Sequence, residues 1–185
     1  MRKTMDNEDV LDCAVELIRA ETEVSARNLA KRLGCSTQPV YSVFRNMAEL
    51  ERELDAHIGN LHRRYIAEYS GKSGYTLYKA YGMGFVKFAK AEKQLFRRLY
   101  IDRPFHKSDL EQDPYYVEVI GSLQSIYGMD KASAVSFHLD MTIYSYGLAA
   151  MQSADSDMSD DEISERLTAQ FRALYRVYIR DRNGG

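Results

Sequence analysis

Apolar residues recur along this chain at helical spacing, and nowhere do they alternate as they would in a half-buried strand. From Asn7 to Glu21, Val10, Leu11, Ala14, Leu17 and Ile18 fall on one face and charged residues on the other, which predicts a first amphipathic helix. Ser25 can cap a second helix, Ala26 to Leu33, with Leu29, Ala30 and Leu33 as its apolar face. Gly34 ends it, because glycine accepts the left-handed conformation just past a helix terminus. Ser36 is the cap candidate for a third helix, Thr37 to Phe44, with Pro39 in the first turn, where a missing N–H does no damage. Asn46, with Glu49 completing a capping box, opens a long fourth helix to about Tyr69, in which Leu50, Leu54, Ile58, Leu61 and Tyr65 share a side.

The polar run Ser70-Gly71-Lys72-Ser73-Gly74 ends that helix and marks a boundary between two functional regions. Beyond it the period stays helical while aromatic residues become frequent. Helices are expected near Tyr75 to Lys90, Glu92 to Ile101, Pro114 to Tyr127, Lys131 to Ser153 and Asp160 to Arg180. The last has the clearest start: Ser159 and Glu162 fit a capping box, and Ile163, Leu167, Phe171, Leu174, Tyr175 and Tyr178 follow at helical steps. No internal repeat is present.

With 185 residues, 45% of them hydrophobic, the chain can bury a core as one large domain or as a small domain fused to a larger one. No apolar run approaches the roughly 20 residues of a membrane span, and the opening MRKTMDNEDV has no apolar stretch that reads as a signal peptide, so a cytoplasmic location is expected. The two cysteines, Cys13 and Cys35, are too few for a disulfide framework or a zinc site; Cys35 is expected to face inward at its turn. His57 and His62 are misaligned for a metal on one helix, and His106 and His138 have no ligand partner at metal spacing, so neither metal nor cofactor is expected.

The net charge of -2 decides nothing by itself, but its distribution does. Between Glu23 and Glu49 there is no acidic residue, while Arg27, Lys31, Arg32 and Arg45 fall inside that gap. Acids crowd the flanking helices: Asp6, Glu8, Asp9, Asp12 and Glu16 before it, Glu49, Glu51, Glu53 and Asp55 after it. A surface cleared of negative charge is one that a phosphate backbone tolerates. Two short helices joined by a tight turn containing glycine are also the arrangement in which the second helix can enter a major groove.

The string from Ser25 to Asn46, preceded by a helix and followed by a longer one, resembles the DNA-binding domain of the tetracycline-repressor (TetR) family: Leu29-Ala30, Leu33-Gly34, Ser36, Tyr41, Phe44 and Leu50 stand where that family has its typical residues. The resemblance covers about the first 65 residues. It implies an all-α fold, with an N-terminal three-helix helix-turn-helix DNA-binding domain at 1–48 and a C-terminal helical bundle for effector binding and dimerisation at 49–185.

The resemblance also implies roles for individual residues. Arg27 opens the second helix where a guanidinium can bond bidentately to guanine, and Thr37 and Gln38 lead the recognition helix, where glutamine can pair with adenine. Tyr41 matches the family tyrosine that contacts a phosphate, with Ser25, Ser42 and Arg45 as further backbone contacts. Many members carry a phosphate-binding lysine at the start of helix four; here that residue is Met47, which implies a weaker salt dependence, with Arg2 and Lys3 placed to compensate as an N-terminal arm. On their own chemistry, Arg27 also reads as a solvated helix charge and Tyr41 as a half-buried packing residue.

One such domain reads one half-site, so a homodimer on a palindromic operator is implied. The last two helices, apolar at Val135, Leu139, Ile143 and Leu148 and at Leu167, Phe171, Leu174 and Tyr178, offer the surface for it, or else bury these faces within the monomer. The intervening aromatic and methionine set, with Tyr78, Met83, Phe96, Phe105 and Tyr115 among its members, is where the family encloses an effector pocket. The expected lining is Tyr81, Phe85, Phe88, Tyr100, Tyr116, Phe137, Met141 and Tyr144, suited to an amphipathic or aromatic ligand; the same stripe at helical spacing also reads as solid core. His138 is a candidate hydrogen-bonding residue there.

The implied partners are double-stranded DNA, a second copy of the chain and an unidentified small-molecule effector, with no membrane. Enzymatic function finds no support in a phosphate loop, a nucleophile elbow or a carboxylate–histidine pair at helix spacing. A helical small-molecule-binding or scaffold protein with a vestigial helix-turn-helix is the remaining alternative.

Overall fold

The computed structural model describes residues 5–72, 76–104, 106–113 and 115–180, and among them every regular element is a helix. Arg2, Lys3, Tyr75, Phe105 and Pro114, all used in the sequence reading, lie outside the described residues. The helices are α1 (Asn7–Arg19), α2 (Ala26–Leu33), α3 (Gln38–Val43), α4 (Met47–Ser70), α5 (Leu77–Ala91), α6 (Lys93–Phe96), α7 (Lys107–Gln112), α8 (Tyr116–Ser125), α9 (Lys131–Ser153) and α10 (Asp160–Arg180). A π-helical turn, Arg97–Ile101, continues α6.

Local chemistry sets most of the boundaries. Asp6 and Asp9 cap α1 reciprocally, each carboxylate accepting from the other's backbone N–H, at 2.9 and 3.1 Å. The Ser25 hydroxyl oxygen accepts from the Asn28 N–H at 3.3 Å, and Gly34 closes α2 in the left-handed region at φ 67°. Ser36 does not cap α3: Thr37 precedes it, without a side-chain cap. Pro39 removes one of the N–H groups a cap would satisfy, so the start tolerates this. Asn46 caps α4 by accepting from the Glu49 N–H at 2.9 Å, but the Glu49 carboxylate reaches the Arg45 N–H at 2.7 Å, so the expected box is displaced by one residue. The box at Ser159 and Glu162 is complete, at 2.7 and 3.3 Å.

Val10, Ala14, Leu29, Val40, Phe44, Leu50 and Leu54 are almost wholly buried and lock α1 to α3 onto the first half of α4. Each of these side chains other than Ala14 contributes roughly 1.5–3 kcal/mol by leaving water. In the other half, α5 is buried on nearly every side, from Tyr78 through Met83, Phe85 and Val86 to Phe88 and Ala89, and packs between α4 and α9. Gly84 makes the α4 contact possible: a Cβ at Gly84 would stand 2.5 Å from the Ile66 Cα.

Two elements depart from the sequence reading. The expected helix from Glu92 to Ile101 opens into the π-helical turn, closed by the Asp102 N–H donating to the Arg97 carbonyl at 2.9 Å. The Tyr146 hydroxyl donates to the Tyr100 carbonyl, the kind of side-chain insertion that loosens a final turn. Helix α7 was not expected, because six mostly polar residues show no period. Cys13 is buried and Cys35 only half-buried, so the inward placement expected of Cys35 is not met.

Candidate functional site

Helix α3 buries Val40, with Phe44 just past its end, and this fixes which side of it faces water. Thr37, Gln38, Tyr41 and Ser42 are exposed, and Tyr41 shows half of its surface although it is a large aromatic. Arg27, on the first turn of α2, is exposed beside them in sequence, and Arg45 follows the α3 end, also exposed; Ser25 is half-buried by its capping role. Arg27 and Lys31 make no ion pair among the described residues, whereas Arg32 lies 3.7 Å from Glu16. Besides Ser25, two more of the expected contacts are already engaged internally. The Ser42 hydroxyl donates to the Pro39 carbonyl at 2.7 Å, and the Arg45 guanidinium pairs with Glu49 at 2.9 Å, which holds that carboxyl below the usual range. Met47 is half-buried against the core.

A cavity of about 930 Å³ opens in the second half of the chain, within the size range of small-molecule sites. Its walls are Tyr78, Tyr81 and Phe85 from α5, Leu99 and Tyr100 from the π turn, and Met141 and Tyr146 from α9. Leu167, Phe171 and Tyr175 of α10 close another side. Gly82 widens it, since a Cβ there would already meet the Leu167 methyls at 3.3 and 3.4 Å.

Three polar pairs sit in or behind this wall. The Tyr78 hydroxyl lies 3.2 Å from His138 Nδ1, the Tyr81 hydroxyl donates to Asp113 Oδ2 at 2.5 Å, and the Tyr100 hydroxyl lies 3.0 Å from His62 Nδ1. Burial pushes both His62 and His138 down to about 4, the nearby Asp113 charge opposing it only in part, so both rings are neutral near pH 7. Burial likewise pushes the Tyr78, Tyr81 and Tyr100 hydroxyls up, keeping them protonated donors. His62 Nε2 has no hydrogen-bond partner among the described residues.

The cavity wall is tied to the first half of the chain through charges. Arg98, next to the lining residue Leu99 in the π turn, pairs with Asp55 of α4 at 3.0 Å and also with Glu51, and Arg103 pairs with Asp55. Arg19 at the end of α1 bonds Glu92, just before α6, at 2.5 Å.

No family model matches the chain, and no curated protein matches it. Among solved structures, a TetR-like transcriptional regulator from Rhodococcus sp. RHA1 is similar, with a TM-score of 0.64 at 14% identity over 89% of this chain and 92% of that chain. The fold is TetR-like. In this TetR-like fold the resemblance seen in the first 65 residues extends, as architecture, through the divergent second half.

Of the expected lining, Tyr81, Phe85, Tyr100 and Met141 do border the cavity. Phe88 and Phe137 are instead fully buried in the packing, against His62 at 4.9 Å and Phe171 at 5.0 Å between ring centres. Tyr116 and Tyr144 are half-buried and line no part of it; the Tyr116 ring lies against His138 at 5.9 Å. The sequence reading missed Asp113, Tyr146 and Arg172, and for Asp113 no signal existed, since it is one carboxylate in a polar stretch. Among the described residues no helix is long and apolar enough to cross a membrane, and no group of His, Cys, Asp and Glu is arranged to hold a metal.

Proposed function

We propose that the chain is a DNA-binding transcriptional regulator, acting as a repressor, whose segment 1–48 reads a palindromic operator and whose remainder, 49–185, dimerises and binds a small-molecule effector. The observation that carries this reading is the exposed face of α2 and α3, where the side chains of Arg27, Thr37, Gln38 and Tyr41 have no hydrogen-bond or ion-pair partner among the described residues while Val40 and Phe44 anchor the helix behind them. Base readout falls on Arg27 and Gln38, and phosphate contact on Tyr41. Ser42 and Arg45 would have to exchange their present bonds to take part, so they rank behind the others.

Support for a dimer comes from α9. Ile143 and Met151 are more than half exposed, Ala132, Ser136 and Gly147 are exposed with them, and the helix carries only Lys131 and Asp140 as charges. A solvent face with so little charge suits a second copy of the chain. On α10 the expected apolar positions turn inward, with Leu167 buried and Phe171, Leu174 and Tyr178 packed on the core, so α9 supplies more of this surface than α10.

The cavity is the effector site in this reading. Its π-turn wall is ion-paired to α4, which starts directly after the recognition helix, so a ligand that shifts the wall biases the position of the reading heads. A mobility shift on DNA from upstream of the protein's own gene tests the proposal. Specific retardation at nanomolar dimer supports it; uniformly weak binding to any DNA favours the scaffold alternative.

A further inference from the structure

Helix α9 brings two buried polar side chains to the cavity wall, His138 and Ser145. Positions this far apart in sequence fall on one face of an α-helix, two turns from each other, and Met141 and Thr142 line the wall between them. The Thr142 hydroxyl is engaged, donating to the His138 carbonyl at 2.8 Å, and His138 Nδ1 is engaged by the Tyr78 hydroxyl. The Ser145 hydroxyl and His138 Nε2 make no hydrogen bond among the described residues. Neither atom is sealed into the packing as His62 Nε2 is. Ser145 Oγ stands against the space that Gly82 leaves, 3.8 Å from where a Cβ would be.

Both groups are uncharged near pH 7, Ser145 by nature and His138 because burial holds it down to about 4. The buried Tyr78 hydroxyl stays protonated and has His138 Nδ1 as its acceptor, which leaves the imidazole proton on Nε2. The wall therefore offers an N–H donor at one point and a hydroxyl, donor or acceptor, at another. A helical rise of about 1.5 Å per residue sets them roughly 10 Å apart along the axis. Phe85, Met141, Leu167 and Phe171 supply apolar surface in the same cavity. The ionisable groups of the wall are of both signs: Asp113, which accepts from the Tyr81 hydroxyl and the Tyr115 N–H, and Lys79, Arg103 and Arg172. They favour neither sign of ligand, whereas a wholly apolar occupant would leave two polar atoms dehydrated and unpaired.

We infer that the cavity selects an uncharged, rigid, mostly apolar molecule with a hydrogen-bonding oxygen at each end, roughly 10 Å apart, such as an extended aromatic or polycyclic diol or hydroxy-ketone. One oxygen accepts from His138 Nε2, and the other bonds the Ser145 hydroxyl. This rests on the cavity being the effector site and adds the chemistry that the site selects.

Two biphenol isomers test this by calorimetric titration of the full-length protein, with Nile red as a fluorescent reporter of cavity occupancy. In para,para′-biphenol the hydroxyls stand at the two far ends of the molecule, near the required separation; ortho,ortho′-biphenol holds them side by side, and para-phenylphenol has only one. The para isomer is expected to displace Nile red and to bind at least about fivefold tighter than either comparison compound, the worth of one hydrogen bond. Ser145→Ala should bring its affinity down to that of para-phenylphenol while Nile red binds as before, which also shows that the variant is folded. Equal affinities for the three phenols, or a para isomer indifferent to Ser145→Ala, with Nile red still displaced, overturn the two-point inference and leave the cavity a ligand site. Equally tight binding of dicationic dimethyl viologen, which has the same biaryl shape, overturns the selection of uncharged ligands. If Nile red and all three phenols fail to bind, the effector-site reading falls together with the inference.

Discussion

Gly84 and Ile66 bring α5 and α4 into backbone contact, so closely that a Cβ on Gly84 would lie 2.5 Å from the Ile66 Cα and 2.7 Å from its backbone nitrogen. Because the obstacle is backbone, it cannot swing aside as a long side chain would. Gly84→Ala is expected to push the two helices apart and destabilise the fold by about 1–3 kcal/mol, as overpacking does, which for a chain of this size is a fall in melting temperature of roughly 2–10 °C. Circular dichroism melts check this; an unchanged or raised midpoint would show that α4 and α5 are not held as described.

Arg27 is exposed, unpaired among the described residues and at the start of α2. Its replacement by alanine should weaken operator binding by about 1–3 kcal/mol with the oligomeric state intact. Fluorescence anisotropy on operator and scrambled DNA separates the roles: a loss confined to the operator marks a base contact, and an equal loss on both marks a phosphate contact.

Ile143 is 61% exposed on the low-charge face of α9. Ile143→Arg places a charge where the second copy is expected to dock, so light scattering coupled to gel filtration should show a monomer, and operator affinity should drop with it. A variant that stays dimeric and binds DNA as before puts the interface elsewhere.

The buried histidines make stability fall on the acid side. His62 and His138 are held down to about 4 in the folded chain against an ordinary value of 6.5, so the unfolded chain takes up protons first as pH drops through that window. Their contribution is fully present above pH 6.5 and is lost progressively toward about 4, by up to about 3 kcal/mol for each ring. Denaturant midpoints between pH 7.5 and 4.5 should therefore decline, and less steeply in His138→Gln. A flat profile would mean that these rings are not shielded from water.

The first half of the fold was legible because its signals are local. Ser25, Gly34 and Asn46 act within three or four residues of themselves, and Leu29, Val40, Phe44 and Leu50 declare their burial by period. The cavity was only half legible, because whether an aromatic residue faces a void or a neighbour depends on helices distant in sequence. Phe85 and Phe88 read alike in the sequence, yet Phe85 borders the cavity and Phe88 packs against His62. Asp113 and Gly84 carry their meaning wholly in three dimensions, one by lying against Tyr81 and the other by touching Ile66.

The central claim is that two copies of the α2–α3 face read double-stranded DNA in register. Selection of bound sequences from a random duplex pool by the purified protein tests it most directly. The account calls for enrichment of an inverted repeat whose half-site centres lie about one helical turn, roughly 10–10.5 base pairs, or a multiple of it, apart. Recovery of no common sequence, or of a motif without twofold symmetry, would contradict it.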